Sequence, residues 1–227
     1  LGPSVEGDRL LIGGQKLRSS WSWQGSNPDR PKQLWLPLDV LESQLGFRRI
    51  GGELEWFGRR RTLIEIPRIT LGDEVGLEVA EWLLATGVNV RRDGSVLELN
   101  LPTARLEKMR RGKGKTAARL VLDLDAPLLV QRLGDDLYLG LHLNPAQRHT
   151  LERLGLRPQL RSQGVLLPGQ ATRLKSLSLA QPWRLVLDGV NPGTSATATP
   201  QTLHSPVSYT HLRAHETRGN LVFPRGD

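Results

Sequence analysis

The pentapeptide Arg119-Leu120-Val121-Leu122-Asp123 occurs a second time, unchanged, at residues 184–188. In an extended strand successive side chains point to opposite faces, so the leucines of each copy share one face and the valine takes the other. The two copies therefore predict two strands that close one layered β structure. Other Leu/Val-rich segments predict further strands at 137–143, 165–167 and 174–179. Helical spacing of leucines predicts one short helix over 146–154.

Residues 33–102 contain two similar units, each with a helical pattern followed by a hairpin pattern. In the first unit, strand alternation gives way to helical spacing within LWLPLDVLESQLGF (34–47), and ELEWF (53–57) follows as a hairpin strand. In the second unit, helical spacing runs over 75–85 and a hairpin follows. We therefore predict an α+β fold, a helix-plus-hairpin repeat domain followed by a mostly antiparallel β-sandwich-like domain.

Changes in composition divide the chain into five segments. The first is rich in Gly, Ser, Asn and Pro; the alternation of Leu17, Trp21 and Trp23 fits a short strand, and residues 25–31 (GSNPDRP) fit a turn or linker. A Pro/Thr/Ala-rich stretch of low complexity follows the predicted β domain and is typical of flexible linkers. The predicted segments are an N-terminal segment and linker (1–32), the repeat domain (33–102), the β domain (103–190), the linker (191–206) and a tail (207–227).

The tail contains a string that does not look like natural protein sequence. Residues 207–217 (VSYTHLRAHET) resemble a translated sequencing adapter, and Asn220-Leu221-Val222 matches the adapter's continuation after a variable index. We interpret residues 207–222 as library sequence fused to a truncated gene, and expect the whole tail to be disordered. His211 and His215, whose i, i+4 spacing would suit a metal ion, belong to this string.

The composition excludes several chemistries. The chain has no cysteine, which removes disulfides, thiol nucleophiles and Cys-ligated zinc. It has no apolar run of about eighteen residues, so no membrane span is expected. Lys and Arg number 31 against 23 Asp and Glu, a net charge of +8, but the basic residues are spread along the whole chain, whereas a nucleic-acid-binding surface clusters them. Two local basic runs stand out, at residues 59–61 (RRR) and 108–115 (KMRRGKGK).

Two resemblances suggest a cell-envelope protein. The strand RLVLDLDAP (119–127) and the strand PWRLVLD (182–188) resemble the two ends of the AMIN domain, over about residues 103–190. AMIN domains are targeting modules found beside periplasmic cell-wall amidases and pilus secretins. The pattern LWLPLDVLESQLGF followed by ELEWF resembles the copper amine oxidase N-terminal-like repeat, over about 33–101. That repeat is a non-catalytic module, and this chain supplies no copper ligands for it.

Together the two modules resemble the N-terminal half of a cyanobacterial-type envelope phosphodiester glycosidase. The resemblance implies a periplasmic or extracellular fragment whose export signal lies upstream. It also implies that a downstream enzyme domain, a phosphodiester glycosidase or another cell-wall hydrolase, is missing. The function expected for this fragment is to bind peptidoglycan or another envelope polysaccharide and to position that enzyme. The alternative is a basic protein that binds nucleic acid or another anionic polymer.

The candidate contact residues are aromatic and basic. Exposed Trp rings stack on sugars, whereas buried Trp rings fill small cores, and both outcomes remain open for each tryptophan. The aromatic candidates are Trp21, Trp23, Trp35, Trp56 and Trp183. The glycine-interrupted basic run at 108–115 suits anionic polymers, or is simply a solvated loop. The basic candidates are Arg110, Arg111, Lys113 and Lys115.

No catalytic arrangement emerges from the sequence. Three carboxylate pairs, Glu53/Glu55, Asp123/Asp125 and Asp135/Asp136, could serve acid–base chemistry or decorate solvated strands. Residues 111–116 (RGKGKT) imitate a phosphate-binding loop, but Met109 stands where that motif needs glycine. We therefore predict no catalytic residue, no metal ligand and no cofactor for this fragment.

Overall fold

Strands dominate the fold, which a computed structural model describes for residues 2–191. The strands are β1 (Ser4–Ile12), β2 (Gln15–Gln24), β3 (Gln33–Pro37), β4 (Arg48–Ile50), β5 (Glu53–Trp56), β6 (Arg59–Thr62), β7 (Arg68–Leu71), β8 (Glu74–Glu78), β9 (Asn89–Asp93), β10 (Val96–Asn100), β11 (Ala104–Arg111), β12 (Arg119–Leu124), β13 (Val130–Leu133), β14 (Asp136–Leu139), β15 (Leu141–His142), β16 (Gln159–Arg161), β17 (Gly164–Leu167), β18 (Lys175–Leu179) and β19 (Arg184–Asp188). The helices are α1 (Leu38–Val40), which a π-helical turn continues over Leu41–Leu45, α2 (Ala80–Thr86) and α3 (Pro145–Arg153). The predicted α+β class is wrong, because this part of the chain is mostly β.

Four sheets organise these strands. The largest has seven strands in the order β7-β8-β3-β2-β1-β10-β9. The others have the orders β15-β11-β12-β19-β18, β13-β14-β17-β16 and β4-β5-β6. Two pairings, β1 with β10 and β11 with β15, are parallel, and the other ladders are antiparallel.

The two predicted repeat units take different places in this architecture, so the helix-plus-hairpin repeat is also wrong. The hairpin of the first unit joins β6 in the three-stranded sheet, whereas β9 and β10 form one edge of the seven-stranded sheet. The second helix begins only at Ala80, because the residues before it form β8. β8 is hydrogen-bonded to β3 on one side and to β7 on the other. Backbone hydrogen bonds to strands on both sides therefore favour a strand for residues 74–78, although their apolar spacing resembles that of a helix.

The N-terminal segment, for which the sequence suggested at most one short strand, contributes two adjacent strands to the seven-stranded sheet. Gly13 and Gly14, with φ of 56° and 83°, form the two-residue turn between β1 and β2. Two positive φ values in such a turn match the right-handed twist of the strands it joins. Trp21 on β2 packs over Gly7, where a side chain would collide with the indole, and its Nε1 donates to the carbonyl oxygen of Arg9 (2.9 Å). Close packing therefore stabilises a hairpin that has few apolar residues.

Two hydrophobic cores lie within one compact unit that ends at Val190. The first is built mainly from residues 10–99 and the second from residues 104–190. The cores are linked: Leu129 packs in the first core, and the buried Gln131 donates from Nε2 to the carbonyl oxygen of Ile12 (2.8 Å). Trp183 packs against both cores. The division into modules at residue 102 stays a prediction.

The two copies of RLVLD are direct neighbours, since β12 and β19 pair antiparallel. The pairs are Arg119 with Asp188, Leu120 with Leu187, Val121 with Val186, Leu122 with Leu185 and Asp123 with Arg184. All four leucines are buried in the second core. At one end, the Arg119 guanidinium donates two hydrogen bonds to the Asp188 carboxylate (2.8 and 3.0 Å). Because each copy has Arg first and Asp last, antiparallel pairing places opposite charges across from each other.

Replacing Leu122 by Ala tests this core assignment. Leu122 has no exposed surface, so we expect Leu122→Ala to lower the free energy of unfolding by about 3 kcal/mol through lost burial and a residual cavity. The half-buried Val121 faces the other side of the same strand, and Val121→Ala should lower it clearly less. Urea unfolding measures both values, and equal losses would contradict the assignment.

Acid titration tests the Arg119–Asp188 pair. Hydrogen bonds from Arg119 hold the pKa of Asp188 below its ordinary value against the effect of burial, and the charges of Arg48 and Lys175 contribute. A lowered pKa in the folded protein means that the stabilisation is complete above the unfolded-state pKa and is lost as pH falls through the folded-state pKa. Asp188→Asn should therefore lower stability by about 0.5–1 kcal/mol near neutral pH, with the deficit shrinking in acid. Urea unfolding of both proteins over a pH series measures it, and a deficit that grows toward acid pH would contradict the sign.

Candidate functional site

A groove lies between helix α2, strand β6 and the turn that precedes β19. One part of it is a cavity of about 400 Å³ lined by residues that include Phe57, Arg59, Thr86 and Trp183. A second depression of about 370 Å³ shares Arg59 with it and is also lined by Arg60, Arg61, Glu81 and Trp82. We call these two cavities, which have Arg59 in common in their lining, the Trp183 groove.

The β12–β19 ladder holds Trp183 in place. Its carbonyl oxygen accepts a hydrogen bond from the backbone nitrogen of Leu124 (3.0 Å), which extends the ladder by one residue. The indole contacts the edge of the Phe57 ring, with centroids 5.6 Å apart and planes at 80°. The side chain is half-buried, so part of the ring lies against the cores and part faces the groove.

Two residues in unusual backbone conformations line the groove. Phe57 and Gly58, with φ of 46° and 77°, form the tight turn between β5 and β6. A Cβ on Gly58 would lie 3.3 Å from Cβ of Ala180, so the turn packs closely against the segment before β19. Gln181, in that segment, has φ of 58°. The described chain has three non-glycine residues with positive φ, and two of them, Phe57 and Gln181, line the groove. Backbone strain of this kind clusters at functional sites.

The arginines of β6 divide between the two faces of the strand. Arg60 forms ion pairs with Glu55 (Nε–Oε2, 3.1 Å) and Glu53 (3.5 Å), as part of the scaffold. Alternation places Arg59 and Arg61 on the other face, roughly 7 Å apart along the strand. The guanidinium of Arg61 lies over the Trp82 ring, 6.0 Å from its centroid. Arg59 is exposed and has no acidic partner among residues 2–191, so it is available to an acidic ligand.

The predicted aromatic candidates separate into core and surface residues. Trp21, Trp23 and Trp56 have no exposed surface, so they fill the first core and present no ring face to a ligand. Trp35 is half-buried on β3. Trp183 is the candidate that lines the groove.

The predicted basic candidates lie elsewhere, on β11 and the turn after it. Arg110 donates to both carboxylate oxygens of Asp123 (2.7 and 3.1 Å), so its charge is already paired. Arg111 donates to a backbone carbonyl of the same turn (2.7 Å). Lys113 and Lys115 are exposed, and neither has an ion pair within the part of the chain that is described. The basic candidates are not among the residues that line the Trp183 groove.

At least one residue of each of the three carboxylate pairs forms an ion pair or a hydrogen bond within the fold. Arg60 binds the first pair, as described above. In the second, Asp125 also accepts a hydrogen bond from the backbone nitrogen of Arg105 (2.7 Å). In the third, Asp136 accepts one from the backbone nitrogen of Gly169 (2.9 Å). These contacts fit structural roles for the carboxylates.

The described residues also limit other kinds of site. Between residues 2 and 191, no three His, Asp or Glu side chains are grouped so that they could hold a metal ion. Over the same span, no helix has the length and apolar character needed to cross a membrane. The predictions for residues 192–227, which cover nearly all of the linker and the adapter-like tail with His211 and His215, lie outside the described residues.

Sequence reasoning missed Phe57, Arg59 and Arg61 as site residues. The available signal was the dipeptide Phe57-Gly58 between ELEW and RRRT. A two-residue turn there continues the hairpin into a third strand and places the first and third arginines of RRR on one face.

Comparison with known proteins supports the fold only. A solved structure described as a hypothetical protein from Synechocystis is similar to this chain, with a TM-score of 0.56 and 18% sequence identity. The similarity covers 82% of this chain and 34% of that one, so the chain spans about a third of its relative's length. No family model matches the sequence. No curated protein matches it either.

Fluorescence quenching tests the accessibility of Trp183. Trp183 is partly exposed in the groove, whereas Trp82 is 2% exposed. We expect Trp183→Phe to remove part of the emission that acrylamide quenches, because the quencher must reach the ring, and the half-buried Trp35 supplies the rest. Trp82→Phe is the matched control and should leave that quenchable part nearly intact. Equal effects of the two substitutions would place Trp183 in the interior instead.

Proposed function

We propose that this chain is a non-catalytic cell-envelope module that binds peptidoglycan or another envelope polysaccharide through the Trp183 groove. The observation that carries the proposal is a half-buried Trp183 and an exposed Arg59, with no acidic partner among residues 2–191, in one cavity of about 400 Å³. An indole face offers a flat apolar surface to a sugar ring. A guanidinium binds a carboxylate through two parallel hydrogen bonds. Peptidoglycan carries both sugar rings and carboxylates.

The rigidity of the groove supports this proposal. The ladder contact at Leu124 and the edge-on contact with Phe57 hold the Trp183 ring before any ligand arrives. Arg61, stacked on Trp82, lies on the same face of β6 as Arg59 and extends the basic wall. A site that is already ordered loses less conformational entropy on binding, so modest contacts give useful affinity.

The wider role is inferred from the resemblances in the sequence. AMIN-like ends at β12 and β19 support an envelope location, periplasmic or extracellular, and a role in targeting. A parent protein with a downstream phosphodiester glycosidase or other cell-wall hydrolase domain would use this module to hold its enzyme on the polymer. Peptidoglycan as ligand, the envelope location and the enzyme domain are all part of the proposal.

A second candidate function has its own supporting observation. Lys113 and Lys115 lie in the β11–β12 connection, are exposed and have no ion pair in the described chain. Such a loop suits nucleic acid or another anionic polymer, whose binding weakens steeply with salt. The two functions therefore differ in the residues that they require and in their dependence on ionic strength.

Sedimentation with purified cell-wall sacculi tests the proposed function. At moderate salt we expect the chain to be retained, and Trp183→Ala and Arg59→Gln each to weaken retention roughly tenfold, which corresponds to about 1.4 kcal/mol. Arg91→Gln is the matched control, because Arg91 is an exposed arginine on β9 outside the groove. It should bind as the parent does.

Other results would contradict the proposal. No retention at moderate salt would remove the polysaccharide function. Retention that is lost only when Lys113 and Lys115 are both changed to Gln, together with a steep salt dependence of DNA binding, would favour the alternative.

A further inference from the structure

Three sheets contribute residues to a second, strongly basic pocket. It measures about 340 Å³ and is lined from β4 by Arg48 and Arg49, from β13 by Arg132 and from β18 by Lys175. These strands belong to the three-, four- and five-stranded sheets respectively. We call this cavity the junction pocket. None of its lining residues lines the Trp183 groove.

The positive charges of the junction pocket exceed the negative ones. Glu42 is the acidic residue in its lining, and it is already paired with Nε of Arg49 (3.0 Å). Asp188 lies close enough for Arg48 and Lys175 to influence it. Its carboxylate, however, accepts both hydrogen bonds of Arg119. The pocket therefore keeps more than one uncompensated positive charge.

Arg132 is half-buried in this pocket and has no acidic partner in the described chain. Its guanidinium donates hydrogen bonds to the carbonyl oxygens of Ala171 and Leu174, which fix its orientation. Burial lowers the pKa of this guanidinium below its ordinary value. A cation that loses water without gaining a counter-charge is destabilising, and an anion in the pocket would offset that cost.

We propose that the junction pocket binds a phosphate group. Arginine presents a planar fork of donors that matches two phosphate oxygens, and lysine adds a compact charge. A phosphate monoester is nearly doubly charged at neutral pH, so it balances the excess charge better than one carboxylate does. The inference does not rest on the proposed polysaccharide function, because the two sites share no lining residue.

Calorimetric titration of the full chain with three simple anions tests this inference. We expect inorganic phosphate and glycerol 3-phosphate to bind with one-to-one stoichiometry, and acetate to bind at least about tenfold more weakly because it carries a single charge. Tighter binding of glycerol 3-phosphate than of inorganic phosphate would indicate a phosphate carried on an alcohol, and the reverse would indicate the free ion. Both results support a phosphate site.

Variants locate the binding. Arg48→Gln and Lys175→Gln should each weaken phosphate binding about tenfold, since each removes a charged donor. Lys16→Gln, an exposed lysine on β2 outside the pocket, is the control and should bind as the parent does. Arg132 is left unchanged because it also holds two backbone carbonyls. Absence of phosphate binding, acetate binding of equal strength, or an equal loss in Lys16→Gln would overturn the proposal.

Discussion

The antiparallel pairing of the two RLVLD copies sets the register of β12 and β19 in the second core and, through it, the position of the candidate site. Each copy presents two leucines to the second core and carries opposite charges at its ends. A slip of one residue would move the leucines out of the second core and separate Arg119 from Asp188, so burial and charge select the same register. That register also determines where β19 begins, and hence the position of the residue just before it.

Trp183 is that residue, and through it the ladder determines the position of the candidate site. Its carbonyl continues the ladder to Leu124, while its ring packs against both cores and meets Phe57. The turn at Phe57-Gly58 fits closely against Ala180, which aligns β6 with the segment that leads into β19. The Trp183 groove is therefore a consequence of how the two cores meet. Arg59 and Arg61 line a cavity whose shape is determined by the packing of the surrounding strands and turns.

Local patterns predicted several elements correctly. The strands at 120–124 and 185–187 are present, and the helix expected over 146–154 is α3. The helix begins at Pro145 because Asn144 caps it, with its side chain accepting from the backbone nitrogen of Gln147 (2.8 Å). The fold class could not be obtained in this way, because similar helix and hairpin patterns occur in two different sheets and sheet membership depends on long-range pairing. The β1–β2 hairpin was missed because its strands are largely polar, although the Gly13-Gly14 turn was a visible signal.

The sequence predicted some residues of the candidate site and missed others. Trp183 was among the candidates, but the sequence does not reveal which tryptophans are buried in the core and which are exposed. Trp21 and Trp23 lie two residues apart and therefore on one face of β2, which is the face that packs into the core. Arg60 forms ion pairs with Glu53 and Glu55. Only this pairing in the structure distinguishes Arg59, which has no such partner in the described chain, as a binding candidate. Such ion pairs form between neighbouring strands, so the spacing of residues within one segment cannot predict them.

Amide spectra recorded while soluble peptidoglycan fragments are added would locate the binding surface residue by residue. If the Trp183 groove binds the polymer, saturable shifts should be concentrated at residues 57–61, 81–86 and 180–183, with little change at residues 108–115. Shifts confined to residues 108–115, or small shifts spread over the chain without saturation, would contradict binding in this groove.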